Sequence, residues 1–165
     1  MTTYKIMVCS DTHTDIHAIV DEINRSEGID LILHLGDHWQ DGRRIGLLTN
    51  RRVISVRGNN DSFHPDIPNK RILDLEGHKL FLIHGHQFSM ANTIDEITKN
   101  AKENGCNIAL FGHSHVFETG GMNDILYLNP GAVYRPRGDR LPSYAFLYLG
   151  EEGEARVERV ILPED

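Results

Sequence analysis

The sequence predicts a single α/β domain, spanning residues 1–165, with parallel and antiparallel strands in two sheets and helices outside. Apolar runs alternate with amphipathic helical patterns near the amino terminus, which predicts parallel strands joined by right-handed crossovers. After residue 115 the helical patterns stop, and short apolar runs between glycine- and proline-containing turns predict antiparallel strands. A chain of 165 residues is long enough to bury a substantial core.

In the amino-terminal part, three predicted strands alternate with two predicted helices. Ile16, Ile19 and Ile23 recur at helical spacing in the first helix, and Gly28 is a plausible stop. The second helical pattern is weaker because Gly46 lowers its helix propensity. The predicted elements lie, in order, at 4–10 (strand), 15–27 (helix), 30–36 (strand), 41–50 (helix) and 53–57 (strand).

The remainder of the chain begins with a predicted hairpin around Glu76-Gly77-His78 and continues with a polar helix that ends at Gly105. The four carboxy-terminal strands are expected to be consecutive and antiparallel, with turns at 120–121, 129–131 and 151–153. The predicted elements are the strands 71–75 and 79–83, the helix 92–104, and the strands 107–111, 116–119, 125–128, 144–149 and 156–162.

Composition limits the class of protein. The net charge of −7 argues against a nonspecific nucleic-acid binder and a stable nucleic-acid complex. No apolar run approaches the roughly 18 residues of a membrane span, and the first residues lead into a strand without a signal-peptide pattern. Cys9 and Cys106 are predicted to be small buried side chains rather than a disulfide. We therefore expect a cytoplasmic protein without a membrane partner.

Five predicted strands each end in residues of the kind that bind metals. Carboxylate, imidazole and amide ligands without a thiolate suit manganese, iron, zinc or nickel. Seven ligands exceed the needs of one catalytic ion and suit two ions about 3.5–4 Å apart that share a carboxylate and activate a water for phosphate-ester hydrolysis. Each residue alone also has an ordinary interpretation as a turn or cap residue. The seven candidates are Asp11, His13, Asp37, Asn59, His84, His113 and His115.

These residues fall in five short blocks that resemble, in order, the motif blocks of the calcineurin-like metallophosphoesterases. The blocks are Asp11-Thr12-His13, Gly36-Asp37, Gly58-Asn59-Asn60-Asp61, His84-Gly85-His86 and Gly112-His113-Ser114-His115. The short length resembles the small YfcE-type phosphodiesterases. The resemblance implies a two-sheet αββα sandwich and a dinuclear centre of divalent transition metals, with manganese expected first and nickel, iron, zinc or cobalt as alternatives.

The resemblance also implies a role for each ligand. Asp11, His13 and His115 would hold the first metal, and Asn59, His84 and His113 the second. Asp37 would bridge both, and a water between the ions would attack phosphorus. The substrate would be a phosphate-ester small molecule or a nucleotide.

Asn60 departs from the family pattern, because many members carry a histidine at this position. That histidine helps to polarise the phosphate and to protonate the leaving group, whereas an amide can donate a hydrogen bond but cannot deliver a proton at neutral pH. We therefore expect Asn60 to act with Asp37 in catalysis, and we expect an enzyme that prefers diesters, or esters with good leaving groups, to ordinary monoesters.

Four further residues lie near the motif blocks and are candidates for substrate binding. His38 and His86 follow predicted ligands closely, and Arg135 and Arg137 lie in an irregular stretch where guanidinium groups can meet a phosphate. Each is equally compatible with a supporting or a solvated surface position. His34, within a predicted strand, is expected to be an ordinary structural residue.

A second function stays open, namely a catalytically weak or inactive interaction scaffold on the same fold. The segments His84-Gly85-His86-Gln87 and Asn129-Pro130-Gly131 also resemble the metallophosphoesterase-like subunit of the retromer sorting complex, whose metal blocks are degraded. Competent side chains at all seven ligand positions favour the enzyme. A homo-oligomer is compatible with the sequence, which contains no specific signal for one.

Overall fold

Two five-stranded mixed sheets pack face to face, with helices on their outer faces. The computed structural model describes residues 3–13 and 16–163. The strand order is β10-β9-β1-β2-β3 in the first sheet and β4-β5-β6-β8-β7 in the second. The elements are β1 (Tyr4–Cys9), α1 (His17–Arg25), β2 (Leu31–His34), α2 (Trp39–Thr49), β3 (Val53–Ser55), β4 (Lys70–Leu75), β5 (His78–Ile83), α3 (Thr93–Glu103), β6 (Ile108–Leu110), β7 (Phe117–Met122), β8 (Ile125–Pro130), β9 (Ser143–Leu149), a 3₁₀ turn (Glu151–Gly153) and β10 (Ala155–Ile161).

The layers follow from side chains that alternate along each strand. In β1, Ile6 and Val8 enter the core between the sheets, whereas Met7 and Cys9 pack under α1 and α2. The central strands are buried on both faces, so they read as continuous apolar runs rather than as alternating ones. The second sheet repeats the arrangement, with α3 covering its outer face. The predicted αββα class with mixed strands is confirmed.

The helices agree with the prediction except at their ends. Asp15, the predicted first residue of the first helix, lies outside the described residues, and the described helix ends at Arg25, before Gly28. The second helix begins at Trp39, two residues before the predicted start, and continues through Gly46. All three helices cover a sheet, so burial of their apolar faces stabilises them despite modest local propensity.

Strand pairing in the carboxy-terminal part differs from the prediction of consecutive antiparallel strands. Strand β8 pairs antiparallel with β7 but parallel with β6. Strand β9 lies in the other sheet, between β1 and β10. Asn129 and Pro130 are the last residues of β8 rather than a hairpin turn, and the segment 131–142 crosses between the sheets. The predicted turn at 120–121 is also wrong, because β7 continues to Met122. Asn123 and Asp124 form the turn, both with positive φ as in a type I′ hairpin.

Within residues 3–13 and 16–163, no helix is long and apolar enough to cross a membrane.

The core between the sheets is expected to dominate stability. Leu82 is fully buried there, and Leu82→Ala should lower the free energy of unfolding by about 2–5 kcal/mol, because it removes apolar contacts and leaves a cavity. Urea denaturation of the purified protein measures the change. The matched control is Ile72→Ala on edge strand β4, where the side chain is 43% exposed and the loss should stay below about 1 kcal/mol. Equal losses in both variants would contradict this packing.

Candidate metal centre

The predicted ligands lie on loops that leave β1, β2, β3, β5 and β6 at neighbouring sheet edges. Backbone hydrogen bonds join these loops, since Asp11 N donates to Gly36 O at 3.1 Å and Gly112 N donates to His84 O at 2.9 Å. Two contacts cross between the sheets: the His84 ring bonds to Leu35 O at 2.8 Å, and His113 N donates to Asp11 Oδ2 at 3.2 Å. The site is therefore assembled where the two sheets meet.

The close approach of the loops depends on two glycines. A Cβ on Gly36 would lie 2.8 Å from Gly58 N and 2.9 Å from His84 Nδ1, and the φ of Gly36 is +102°. A Cβ on Gly112 would collide with the Ser10 hydroxyl. Only glycine fits where a neighbouring backbone, at Gly36, or a buried ligand loop side chain, at Gly112, lies this close, which accounts for the glycine that precedes Asp37 and the one that precedes His113.

The backbone at five of the seven predicted ligands adopts the left-handed conformation, which costs a residue with a side chain on the order of 1–3 kcal/mol. Such conformations cluster at functional sites, where the surrounding structure holds them in place. The left-handed predicted ligands are Asp11 (φ 55°), His13 (φ 44°), Asp37 (φ 59°), His113 (φ 70°) and His115 (φ 63°).

Four of the predicted ligands form one compact group. One ligand atom from each of Asp11, His13, Asp37 and His115 lies within 4.8 Å of the others. His115 Nε2 is 3.4 Å from Asp11 Oδ1, and His13 Nε2 is 3.6 Å from Asp37 Oδ2. Carboxylate oxygens and imidazole nitrogens at these separations can converge on one divalent cation.

Asp37 belongs to this group and also faces a second set of predicted ligands, His84 and His113. Its Oδ2 faces His13, whereas its Oδ1 lies 3.5 Å from His84 Nε2. His84 Nε2 is also 3.8 Å from Asp11 Oδ1, and the His84 and His113 ring centroids are 5.2 Å apart. The two oxygens of Asp37 thus face two groups of histidines, which is the geometry that a bridging carboxylate requires.

Hydrogen bonds to backbone carbonyls orient two of the histidines. His84 Nδ1 lies 2.8 Å from Leu35 O, and His115 Nδ1 lies 2.9 Å from Arg135 O. A carbonyl oxygen only accepts, so Nδ1 of each ring carries a proton and Nε2 is the ring nitrogen that faces the carboxylates. The Ser10 hydroxyl likewise donates to Asp11 Oδ2 at 2.7 Å, leaving Asp11 Oδ1 available.

Several buried polar atoms of the site lack a hydrogen-bond partner among the described residues. They are Asp11 Oδ1, His13 Nε2 and His84 Nε2 in the group above, and His86 Nδ1 beside it. A buried polar atom without a partner is rare and costs about 1–3 kcal/mol. All the unpartnered atoms in the group are oxygen or nitrogen atoms that face the same space, so the donor set fits divalent cations.

The two carboxylates stay ionised although they are buried. Burial raises the pKa of Asp11, but the attraction of the nearby His115 and His84 rings outweighs burial, so its pKa is lowered overall. Burial likewise raises the pKa of Asp37, but His84 and the hydrogen bonds from Asn60 bring it below the usual range. Burial lowers the pKa of His13 and of His113, which favours neutral rings with free lone pairs.

Two neighbouring asparagines occupy different places. Asn60 donates its backbone N–H to Asp37 Oδ1 at 3.0 Å and its Nδ2 to Asp37 Oδ2 at 2.8 Å. Asn59 is exposed, and among the described residues its side chain makes no hydrogen bond to the group. The structure therefore brings Asn60 to Asp37, the carboxylate predicted to bridge, whereas the role of Asn59 as a ligand stays a prediction.

The candidates for substrate binding surround the group. The His38 ring centroid is 4.9 Å from that of His13, and the His86 ring centroid is 5.6 Å from that of His84. The Arg135 guanidinium stacks on the Tyr134 ring, and Arg137 N donates to His115 O at 2.7 Å. All four residues are neighbours of the site, and their contact with a substrate stays a prediction.

Asp61 is a supporting residue that the sequence did not single out. Its carboxylate accepts hydrogen bonds from four backbone N–H groups, those of Asp37 (2.9 Å), His38 (2.5 Å), Trp39 (3.1 Å) and Gly58 (2.8 Å). It thereby joins the loop that carries Asp37 to the loop after β3, and it caps the start of α2. The sequence did contain a signal for this role, because an aspartate ends the Gly58-Asn59-Asn60-Asp61 block and a predicted helix follows Asp37.

A buried chain of three side chains was also missed. Gly36 N donates to His34 Nδ1 at 3.2 Å, so Nε2 carries the ring proton and donates to Thr12 Oγ1 at 2.9 Å. Thr12 in turn donates to Asp41 Oδ2 at 2.5 Å. Because Thr12 lies between Asp11 and His13, this network anchors their loop to β2 and α2. His34 is therefore a supporting residue of the site rather than an ordinary strand residue.

Comparisons with known proteins find relatives that match most of the chain. The family model of the calcineurin-like phosphoesterase superfamily domain matches residues 4–152. The probable metallophosphoesterase YsnB of Bacillus subtilis is 30% identical over 145 residues, which cover 87% of this chain and 83% of that protein. Phosphodiesterase YfcE of Escherichia coli K12 is 30% identical in an alignment that covers 87% of this chain and 86% of that protein.

Solved structures show the same fold. A predicted phosphoesterase from Streptococcus pneumoniae TIGR4 superposes with a TM-score of 0.80 at 29% identity, covering 98% of this chain and 91% of that one. A Vps29 single mutant from Entamoeba histolytica superposes with a TM-score of 0.76 at 20% identity, covering 96% and 99% of the two chains. At 20% identity this second likeness concerns the fold alone.

The Thr12 network predicts a stability effect that depends on the buried hydroxyl. Thr12→Val keeps the shape but leaves His34 and Asp41 without the hydroxyl that joins them, and it should lower the free energy of unfolding by about 1–3 kcal/mol. Urea denaturation measures the change. The matched control is Thr119→Val on β7, where an exposed hydroxyl donates to Tyr127 O at 2.9 Å and water can replace it. Indistinguishable midpoints would contradict an anchoring role.

Proposed function

This chain belongs to the calcineurin-like phosphoesterase superfamily, and from that membership and the site geometry we propose a phosphodiesterase that uses two divalent transition-metal ions. The observation that carries the proposal is the position of Asp37, whose two oxygens face separate groups of histidines with buried, unpartnered nitrogens. A single-ion site would have no use for ligand atoms on both sides of one carboxylate.

The proposal assigns each ligand to an ion. Asp11, His13 and His115 would hold one ion, and His84 and His113 the other, with Asp37 shared. Asn59 would complete the second group by turning its exposed side chain inward. When bound, two such ions supply hydroxide at neutral pH and neutralise charge on the phosphoryl oxygens. Manganese is the ion we expect first, with nickel, iron, zinc and cobalt as alternatives.

Hydrolysis of a diester forms a bond between phosphorus and the oxygen of water and breaks one ester P–O bond, and the alcohol leaves with a proton. Asp37 stays ionised throughout, because its pKa is held low by His84 and Asn60 against the effect of burial. Asn60 is adjacent to the bridging carboxylate and can donate a hydrogen bond to a phosphoryl oxygen, but it cannot supply the proton. His38 and His86, whose rings flank the site, are the residues that we propose to bind and orient the substrate.

The reducing cytoplasm is the proposed location. Cys9 and Cys106 are both free and buried, and burial raises the pKa of Cys9 to about 12, which keeps its thiol protonated and unreactive.

An interaction scaffold is the second candidate function, favoured by the structural likeness to Vps29 and by the exposed apolar side chains Leu47, Leu48 and Phe63. A scaffold, however, has no need to keep buried ligand atoms unpartnered, since each one costs stability. The intact donor set therefore favours the hydrolase, and activity separates the two functions.

The proposed function predicts metal-dependent activity. Protein stripped of metal and resupplied with Mn²⁺ should hydrolyse bis-p-nitrophenyl phosphate, and Asp37→Ala should reduce the rate at least about 100-fold by removing the bridge. Release of p-nitrophenolate measures the rate, and Asp66→Ala, at an exposed carboxylate outside the site, is the control that should keep activity. Folded protein without activity in any of the proposed metals would overturn the enzyme in favour of the scaffold.

The second prediction concerns Asn60. Asn60→His restores a group that can deliver a proton, so the ratio of p-nitrophenyl phosphate to bis-p-nitrophenyl phosphate hydrolysis should rise about tenfold or more. Parallel steady-state kinetics on the two substrates give the ratio. Asn69→His, at an exposed asparagine that bonds to Arg57, is the matched control and should leave the ratio unchanged. An unchanged ratio in Asn60→His would refute the role assigned to this residue.

A further inference from the structure

A cavity of about 590 Å³ opens beside the metal centre, between the start of α3 and strand β7. It shares one wall with the centre, because His113 and its neighbours Gly112 and Ser114 line it. A phosphoryl group held at the metal ligands would therefore lie at the mouth of this cavity. Its volume falls within the range of pockets that bind small organic molecules, and it exceeds what a phosphate needs.

The wall away from the metals is largely apolar. It includes Phe111, which is 1% exposed, and Met122 and Met90, which are 39% and 65% exposed. Ile94 and Val116 complete this wall. Methionine sulfur and a phenylalanine ring favour contact with aromatic rings, and flexible methionines adapt to a flat ligand.

Two charged side chains that line the cavity have no partner in the described part of the chain. The Arg137 guanidinium makes no ion pair there, although its backbone N–H fixes the residue to His115 O at 2.7 Å. Glu118 on β7 is partly buried without a hydrogen-bond donor, and burial raises its pKa. Asp95, by contrast, is already bound to Lys99 and Asn123. Arg137 and Glu118 are thus free to bind a ligand.

We propose that this cavity binds the organic group of the phosphate ester, and that this group is an aromatic ring system carrying a hydrogen-bond donor. Arg137, next to His115, contacts the phosphate, and Glu118 accepts the hydrogen bond from the ring substituent. Phe111, Met90 and Met122 contact the ring. The inference rests on the proposed phosphodiesterase and names the substrate class that the same site selects.

Direct binding tests the inference without turnover. Mn²⁺-loaded protein is titrated in a calorimeter with methyl phosphate, phenyl phosphate and adenosine 5′-monophosphate. Methyl phosphate has no ring, phenyl phosphate adds a ring without a donor, and the nucleotide adds both. Affinity should rise about tenfold from the first to the second, through ring burial, and again about tenfold to the third, through Glu118.

Two variants separate the contributions. Met122→Trp fills the cavity and should weaken phenyl phosphate and nucleotide binding about tenfold or more while methyl phosphate affinity stays unchanged. Met90→Trp, at a position that is 65% exposed, should weaken the binding of the same two ligands. This variant takes the place of Met122→Trp if Met122→Trp does not fold. Glu118→Met should weaken only the nucleotide. Leu47→Trp, on the exposed face of α2, is the matched control and should change no affinity.

The outcomes distinguish the two proposals. Metal-dependent binding of methyl phosphate with equal affinity for all three ligands overturns the inference and leaves the phosphodiesterase standing. Cavity-filling variants that behave like Leu47→Trp overturn it as well. If phenyl phosphate and the nucleotide bind equally, and more tightly than methyl phosphate, the ring contact holds and the donor contact to Glu118 is wrong. No metal-dependent binding of any phosphate overturns the phosphodiesterase together with the inference.

Discussion

The structure depends on keeping two carboxylates ionised where water hardly reaches. Asp11 is fully buried and Asp37 is 2% exposed, and a buried charge is costly unless it is paired and hydrogen-bonded. Ser10 and the backbone N–H of His113 stabilise Asp11, while Asn60 stabilises Asp37. These bonds leave other ligand atoms unpartnered, so a cation is the group that completes the compensation. Three further features bring the ligand atoms close to the two carboxylates: the close contacts at the glycines, the left-handed backbone and the orientation of the histidine rings.

The fold tolerates the cost of these buried charges and left-handed residues because the ligands are distributed over strand ends from both sheets. Backbone hydrogen bonds join the loops after β1 and β2 and the loops after β5 and β6, and the Asp61 carboxylate joins the loop after β3 to that after β2. The contact of His84 with Leu35 O joins one sheet to the other. Strain of on the order of 1–3 kcal/mol at each left-handed ligand is tolerable because two large apolar layers and the core between the sheets stabilise the loops that carry it. Asp61 and the network of Thr12, His34 and Asp41 keep the loops rigid, which a site for several ligands requires.

Similarity of fold does not distinguish a hydrolase from a scaffold, because unrelated functions use the same architecture. The difference lies in the site, where competent ligands face a common space, and in the cavity beside His113, which offers room for an organic group. Arg137 connects the two, because its backbone binds His115 and its side chain lines the cavity. The proposed chemistry at the metals and the proposed selection of the substrate would thus take place on adjacent parts of one surface.

The sequence by itself determined the fold class and the residue types of the candidate metal centre, because apolar periodicity and ligand type are local properties. The runs that end at Asp11, Asp37 and His84 identified central strands and their functional ends. Tertiary structure alone decided what joins distant segments. Thr12 meets His34 and Asp41 from 22 and 29 positions away, and β8 pairs with β6 rather than with β9. No local pattern specifies such pairings, because they are selected by how the two sheets and their helices pack together.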